Sequence, residues 1–340
     1  MKAARRLREF LSGKISSWFP GFSSPVPILL VCAIVDILCW YFLHKTYNLL
    51  DHIENPSFAF DKIEGHFSSI TVQLTLLAFI LLCITALLRT ALLLQEKRLK
   101  SFHLFLLLLP ILVGILAALF MYPVGGLDIF PYILKAKLRV VYNANPYIQV
   151  PLRAAPEDPF YPYDHFPHHT LSYGPLWTLL ASLTFRITSA LTGPAQLLPH
   201  VLAFKIQSIL FLFSTGWLLW KYNPGRHGLL SVVFYMGNPL VLFELVANGH
   251  NDGMMAFFLA ASILLLLRGR WESIPLYTAS LLVKPFPLIV FPIMAVYAIH
   301  RKFFNLKQLG LGAAAAVRLF HRLWHLRSVF RILLPSSLFS

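Results

Sequence analysis

The sequence predicts an all-α fold, a polytopic transmembrane helical bundle with about eight apolar segments. Of the 340 residues, 57% are hydrophobic and only 13% are charged, and the mean hydropathy is +0.68. A soluble domain of this length needs more polar surface than that, so lipid must be most of the solvent. The first three apolar runs, 26–43, 70–94 and 102–122, are each long enough to cross a bilayer.

The basic residues lie mostly at the ends of the apolar runs. Lys and Arg number 29 against 14 Asp and Glu, and two clusters of them lie in 2–14 and 95–100. Positive charge marks cytoplasmic loops, so we expect a cytoplasmic N-terminus with an uncleaved first helix and an outer loop at 44–69. The third run then ends on the outer face. This distribution indicates contact with lipid headgroups and excludes a nucleic-acid interface.

Five further apolar segments follow residue 170. The basic flanks place the 248–252 turn outside only if one of the first two segments does not cross the membrane. We expect 171–191 to be the segment that does not cross, because Pro175 breaks it and Arg186 lies within it. The last segment should enter and return, with a bend at 284–287. The segments are 171–191, 197–219, 228–247, 253–267 and 274–299.

Asp128 is an acid at the edge of an oily region. It comes directly after the third apolar run, and the stretch that follows it is rich in Tyr, Pro, His and Arg. One interpretation is a helix cap, since a carboxylate at a helix N-terminus accepts backbone N–H bonds. The other is a catalytic base at the mouth of a membrane enzyme. The two roles are compatible.

Three other groups of residues are candidates for substrate binding. Aromatic and amide side chains in 143–147 and 173–177 are typical of interfacial anchoring, or of the wall of a sugar pocket. The 248–252 turn is a plain turn, a substrate site or, with too few ligands, a metal site. Lys284 either snorkels to the interface or pairs with an anion such as phosphate. The candidates are Asn145, Tyr147, Tyr173, Asn248, His250, Asn251, Asp252 and Lys284.

In this order, these motifs resemble the GT-C superfamily of membrane glycosyltransferases, and in particular bacterial polyprenyl-phosphate-mannose-dependent α-mannosyltransferases. The matching pieces are 126–132, 145–147, 173–176, 238–240, 248–252 and Lys284 with its prolines. The resemblance implies juxtamembrane helices in a large outer loop, an acidic base there, and inversion at the sugar carbon. Many members carry paired acids in that loop, whereas Asp128 stands alone in this interpretation.

The predicted function is therefore metal-independent transfer of a hexose, with mannose expected, and Asp128 is the base. The donor substrate is a polyprenyl-phosphate sugar, the acceptor is a glycolipid or glycan, and no cofactor is expected. We expect a bacterial plasma membrane with the active site on the outer face. The alternatives are a transporter or flippase of lipid-linked or small solutes, and a non-catalytic membrane scaffold.

Two segments are distinguished along the chain. Residues 1–316 form the expected membrane transferase domain, and 317–340 form a basic tail in which arginines alternate with apolar residues. Helical spacing partly separates the two sets, which predicts an amphipathic helix on the inner leaflet. The alternative is a slip of the reading frame near residue 316, which would make the chain a truncated enzyme.

Overall fold

The computed structural model describes residues 26–56, 69–95, 101–301 and 306–329. Every regular element in these ranges is helical, so the predicted all-α class is confirmed. The described residues form two compact units. One comes from Met1–Leu127 and Gly216–Asn248, and the other from Asp128–Thr215 and Gly249–Ser340.

The first unit is built around three long apolar helices. Helix α1 (Val26–Thr46) packs against both α3 (Ser69–Gln95) and α4 (Ser101–Leu119). Helix α4 also packs against the π-helical turn Leu242–Ala247. Gly114 permits this close approach, because a Cβ there would lie 2.8 Å from the Trp40 indole nitrogen and 2.9 Å from Leu242. The helices are α1 (Val26–Thr46), α2 (Leu49–His52), α3 (Ser69–Gln95) and α4 (Ser101–Leu119).

An ion pair lies inside this unit, between two of the apolar helices. The Asp36 carboxylate on α1 is 2.8 Å from the Arg89 guanidinium on α3, and the Thr85 hydroxyl also donates to it. Both charged side chains are almost fully buried. The pair explains how a carboxylate is tolerated within an apolar run, since each charge has a partner in place of water.

Among the described residues, four helices are long and apolar enough to cross a membrane. They are α1, Ile70–Leu92 within α3, α4, and α8 (Leu197–Tyr222). A fifth span results if α9 (Arg226–Met236) and Pro239–Ala247, bent by 52°, count as one. This last segment begins with α10 (Pro239–Val241).

Helix α7 (Pro175–Thr192) is not among these candidate spans, and the expectation that 171–191 does not cross the membrane stays a prediction. The proposed reason was wrong in one respect. Pro175 stands in the first turn of the helix and so begins it instead of breaking it.

The second unit contains the segment that follows Asp128. Helix α5 (Ile129–Val140) is buried at every residue from 129 to 138, and it packs against α7. A juxtamembrane helix was expected in this loop, and the structure surrounds this helix with protein. The short helix α6 (Pro151–Ala154) and a 3-10 turn at Tyr161–Tyr163 contact α5.

The C-terminal half of this unit contains the predicted break near Lys284. Helix α11 (Asp252–Leu267) packs against α12 (Ser273–Leu281), and a 3-10 turn (Phe286–Val290) leads into α13 (Phe291–His300). Regular helix is thus interrupted between 281 and 286, as the two prolines predict. Helix α14 (Leu306–Val329) runs through residue 316, where the sequence analysis placed a boundary. That division stays a prediction, and residues 330–340 lie outside the described ones.

Candidate functional site

The Asp128 carboxylate does not cap helix α5. Its backbone is already helical (φ −57°, ψ −25°), and its side chain makes no capping hydrogen bond. Its Oδ2 atom instead accepts hydrogen bonds from the hydroxyls of Tyr132 (3.3 Å) and Tyr173 (3.1 Å). The capping interpretation is therefore wrong. Within the described ranges, Oδ1 accepts no hydrogen bond, so one oxygen is oriented and the other is available.

The two tyrosines form an aromatic cluster around this carboxylate. The Tyr132 ring meets the rings of Tyr173 and Trp177 edge-on, at centroid distances of 5.0 and 4.9 Å. Burial, reinforced by the negative charges of Asp128 and Asp252, raises the pKa of Tyr173 to about 12. Burial likewise holds the pKa of Tyr132 well above its ordinary value. Both hydroxyls therefore stay protonated at neutral pH and keep donating to Asp128.

Tyr173 is held in place by its backbone. The Tyr147 hydroxyl donates to the Tyr173 carbonyl (3.0 Å) and hydrogen-bonds the Thr178 hydroxyl (2.5 Å). The N–H groups of Gly174 and Leu176 donate to the carbonyls of Val283 (2.9 Å) and Leu282 (3.0 Å). A Cβ at Gly174 would lie 2.1 Å from the Leu282 carbonyl oxygen, so only glycine fits there. These bonds bring the start of α7 against the residues that precede Lys284.

Lys284 pairs with an acidic side chain of the protein. Its Nζ donates to both carboxylate oxygens of Asp252, at 2.9 and 3.1 Å, and lies 5.7 Å from the centre of the Tyr173 ring. His250 Nδ1 is 3.7 Å from the same carboxylate. Burial opposes ionisation of Asp252, but the hydrogen bonds from His250 and Lys284 outweigh it and hold its pKa below the usual value. The pair is only partly buried, with about a third of each side chain exposed.

The turn before α11 brings a second polar group to this unit. Gly249 has φ +69°, and a Cβ there would lie 2.5 Å from Ile129 Cδ1, so the turn packs closely on the start of α5. Asn251 is 2% exposed, yet neither its side-chain oxygen nor its side-chain nitrogen has a hydrogen-bond partner in the part of the chain that the structure describes. A buried amide without partners is unusual in a folded protein.

Two predicted binding residues have local structural roles. The Asn145 side-chain oxygen accepts the N–H of Tyr147 (3.0 Å) and forms a tight turn at an exposed position. Asn248 lies in the first unit, where its oxygen accepts the Gly125 N–H (3.1 Å) and its nitrogen donates to Glu244 (3.2 Å). Their predicted contacts with substrate stay predictions. Tyr132 was missed, although its spacing of four residues from Asp128 on a helix was the available signal.

The fold and this cluster define a class: a helical membrane protein in which an oriented carboxylate lies near a lysine–carboxylate pair. Residues 51–300, which contain every residue of the cluster, match the family described as alpha-(1->6)-mannopyranosyltransferase, N-terminal domain. The chain belongs to that family. The predicted resemblance to α-mannosyltransferases is thereby confirmed.

A curated relative is alpha-(1->6)-mannopyranosyltransferase A of Corynebacterium glutamicum. The two are 25% identical over 134 residues, which is 38% of this chain and 26% of the relative. The match thus spans well under two thirds of the relative's length. No solved structure matches the chain.

Proposed function

We propose that this chain transfers a mannosyl residue from a polyprenyl-phosphate donor to a hydroxyl of a glycolipid or glycan, with inversion and with Asp128 as general base. The observation that carries the proposal is the asymmetry of the Asp128 carboxylate. Two tyrosine hydroxyls fix Oδ2, and Oδ1 accepts no hydrogen bond from the described residues. A base needs an oriented carboxylate with one oxygen free to accept a proton, and this arrangement supports both.

The reaction balances as a single displacement. The acceptor hydroxyl gives its proton to Asp128 Oδ1 while its oxygen forms the new bond to the sugar carbon. The bond between that carbon and the phosphate oxygen breaks, and its electron pair leaves with the polyprenyl phosphate. The phosphate therefore gains negative charge as the bond breaks. A positioned cation stabilises that charge more in the transition state than in the ground state.

Lys284 is the proposed cation for the leaving phosphate. Asp252 orients its ammonium through two contacts, at 2.9 and 3.1 Å. An ammonium has three N–H donors, so one remains for an anion while Asp252 stays bound. His250, beside the same carboxylate, is the proposed second donor. The exposed part of the Lys284 side chain gives a phosphate access to it.

The Asn251 amide is the proposed contact for a sugar hydroxyl. A hydroxyl donates one hydrogen bond and accepts others, so it satisfies the two buried amide atoms together. We place the reaction at the outer face of a bacterial plasma membrane, where the donor's lipid tail can stay in the bilayer. The basic segments at 2–14 and 95–100 support that orientation.

The test uses the full chain in lipid nanodiscs with radiolabelled polyprenyl-phosphate mannose and α-mannoside acceptors. We expect label in the acceptor, a product whose anomeric configuration is opposite to that of the donor, and no loss of rate with a metal chelator. Asp128→Asn is the matched inactive control. Transfer from a nucleotide sugar alone would overturn the donor assignment. Movement of the lipid donor across the bilayer without transfer would favour the flippase alternative.

A further inference from the structure

The Tyr147 hydroxyl bonds to the segment that carries Tyr173. It lies 3.0 Å from the Tyr173 carbonyl oxygen, to which it donates, and 2.5 Å from the Thr178 hydroxyl. Tyr173 comes just before α7, and Thr178 lies in the first turn of that helix. The hydroxyl of Tyr147 therefore contacts the protein at both ends of this turn, and it joins the loop before α6 to the start of α7.

The loop that carries Tyr147 is itself fixed by hydrogen bonds. The Asn145 side-chain oxygen accepts the Tyr147 N–H at 3.0 Å. The Leu171 N–H donates to the Pro146 carbonyl at 2.8 Å, which ties the loop to the segment that leads into Tyr173. A residue can orient a neighbour accurately when its own backbone is held in this way. Tyr147 therefore has the structural support that a positioning residue needs.

Tyr173 connects Tyr147 to the proposed base. Tyr147 holds the backbone carbonyl of Tyr173, and the hydroxyl of the same residue donates to Asp128 Oδ2 at 3.1 Å. The Tyr173 ring packs edge-on against the Tyr132 ring, at a centroid distance of 5.0 Å, which limits its freedom to reorient. A shift of the Tyr173 backbone therefore moves its hydroxyl relative to Asp128, and a hydrogen bond weakens steeply when it is misaligned.

We propose that Tyr147 is a positioning residue that acts on Asp128 through Tyr173. The sequence predicted a different role for Tyr147, direct contact with substrate. The two roles have different kinetic signatures, because loss of a substrate contact raises KM, whereas a misplaced base lowers kcat. The inference rests on the proposed function for the reaction in which Asp128 acts.

The first test measures transfer kinetics in Tyr147→Phe, in Tyr173→Phe and in the variant that carries both changes. We expect Tyr147→Phe to lower kcat about three- to tenfold and to leave the KM of donor and acceptor unchanged. When Tyr173→Phe has already removed the transmitting hydroxyl, Tyr147→Phe should cause little further loss, because the two residues act in series. A raised KM in Tyr147→Phe, or two losses that simply multiply, would overturn the proposal.

Tyr142→Phe is the matched control for this test. The Tyr142 hydroxyl donates to Asp158 Oδ2 at 2.8 Å, so this change also removes a phenolic hydrogen bond, but one that ends on a carboxylate outside the candidate site. We expect Tyr142→Phe to lower the unfolding temperature and to keep the wild-type kcat. Equal losses of kcat in Tyr142→Phe and Tyr147→Phe would mean that both changes merely loosen the loop, and the proposal would be wrong.

The second test is independent of catalysis. Fluorine NMR of the full chain labelled with 3-fluorotyrosine reports on Tyr173, whose resonance is identified by its absence from Tyr173→Phe. We expect this resonance to move in Asp128→Asn and in Tyr147→Phe, and to stay in place in Tyr142→Phe. If it does so while the wild type transfers no mannose, the proposed function fails and the link from Tyr147 to Asp128 stands. If the wild type transfers mannose and the resonance is unchanged in Tyr147→Phe, the proposed function stands and the positioning role is wrong.

Discussion

Replacing Asp128 with Asn separates its chemical role from its structural one. The Asn side-chain oxygen can occupy the place of Oδ2 and keep both tyrosine hydrogen bonds, which measure 3.3 and 3.1 Å to the carboxylate, with a neutral acceptor. Its NH₂ group then stands where Oδ1 stood, and it cannot accept a proton. The change from charge-assisted to neutral hydrogen bonds costs about 1 kcal/mol for each bond, or about 2 kcal/mol of folding free energy. Loss of a general base raises the activation barrier by about 2.7–5.4 kcal/mol, a rate loss of ~10²–10⁴.

The assay measures turnover with the lipid donor and, in the same preparation, the unfolding temperature. We expect Asp128→Asn to fold, to bind donor normally and to lose turnover by the factor above. Tyr173→Phe is the matched control, since it removes one orienting hydrogen bond and leaves the base, so its loss should be about tenfold. A folded Asp128→Asn protein with turnover near wild type would refute the assignment of the base.

Three further predictions address the surroundings of Asp128. Lys284→Met should lower the free energy of unfolding by about 1 kcal/mol or less, because its pair with Asp252 is partly exposed. It should also reduce kcat/KM for the donor at least tenfold. Unchanged donor kinetics would return Lys284 to an interfacial role. Gly174→Ala should abolish transfer and lower the unfolding temperature, because the added Cβ would lie 2.1 Å from the Leu282 carbonyl oxygen. Gly310→Ala is the control and should be neutral or stabilising, because no atom lies within 4 Å of its added Cβ. Equal unfolding temperatures of the two variants would contradict the packing at Gly174. The pKa of Tyr173 is raised from 10.0 to about 12, so its contribution to folding stability is complete below pH 10 and is lost as the pH rises toward 12. The free energy of unfolding should therefore fall less steeply with alkaline pH in Tyr173→Phe than in the wild type. Identical pH dependence of the two proteins would refute this prediction.

The fold class and the location of the site follow from patterns that are local in the sequence. Apolar runs of membrane length predict helices, and adjacent prolines predict the break near Lys284. The same local signals misled at Asp128, where a carboxylate before a helix indicates a cap. The side chain turns to Tyr132 and Tyr173 because Asp128 itself has helical backbone angles. That geometry depends on a partner 45 residues away in the chain.

The pairing of charges was less predictable, because it depends on contacts between distant segments. Lys284 and Asp252 are 32 residues apart, and no spacing rule connects them. The burial of Lys135 could not be predicted from the sequence, since a lysine on a helix with both polar and apolar residues normally faces solvent. Only the packing of protein around α5 shows that this lysine is enclosed.

The ion pair between Asp36 and Arg89 has a consequence for how the chain enters the membrane. On insertion scales, a single Asp or Arg at the centre of a helix costs about 2.5–3.5 kcal/mol. Helix α1 leaves the ribosome before α3, so Asp36 has no counter-charge while α1 is the only helix made. Lateral release of α1 into lipid is therefore favoured once Arg89 has been synthesised and the two helices can partition together. The polar pair thus couples the biogenesis of the first and third helices, although each is apolar enough to insert by itself.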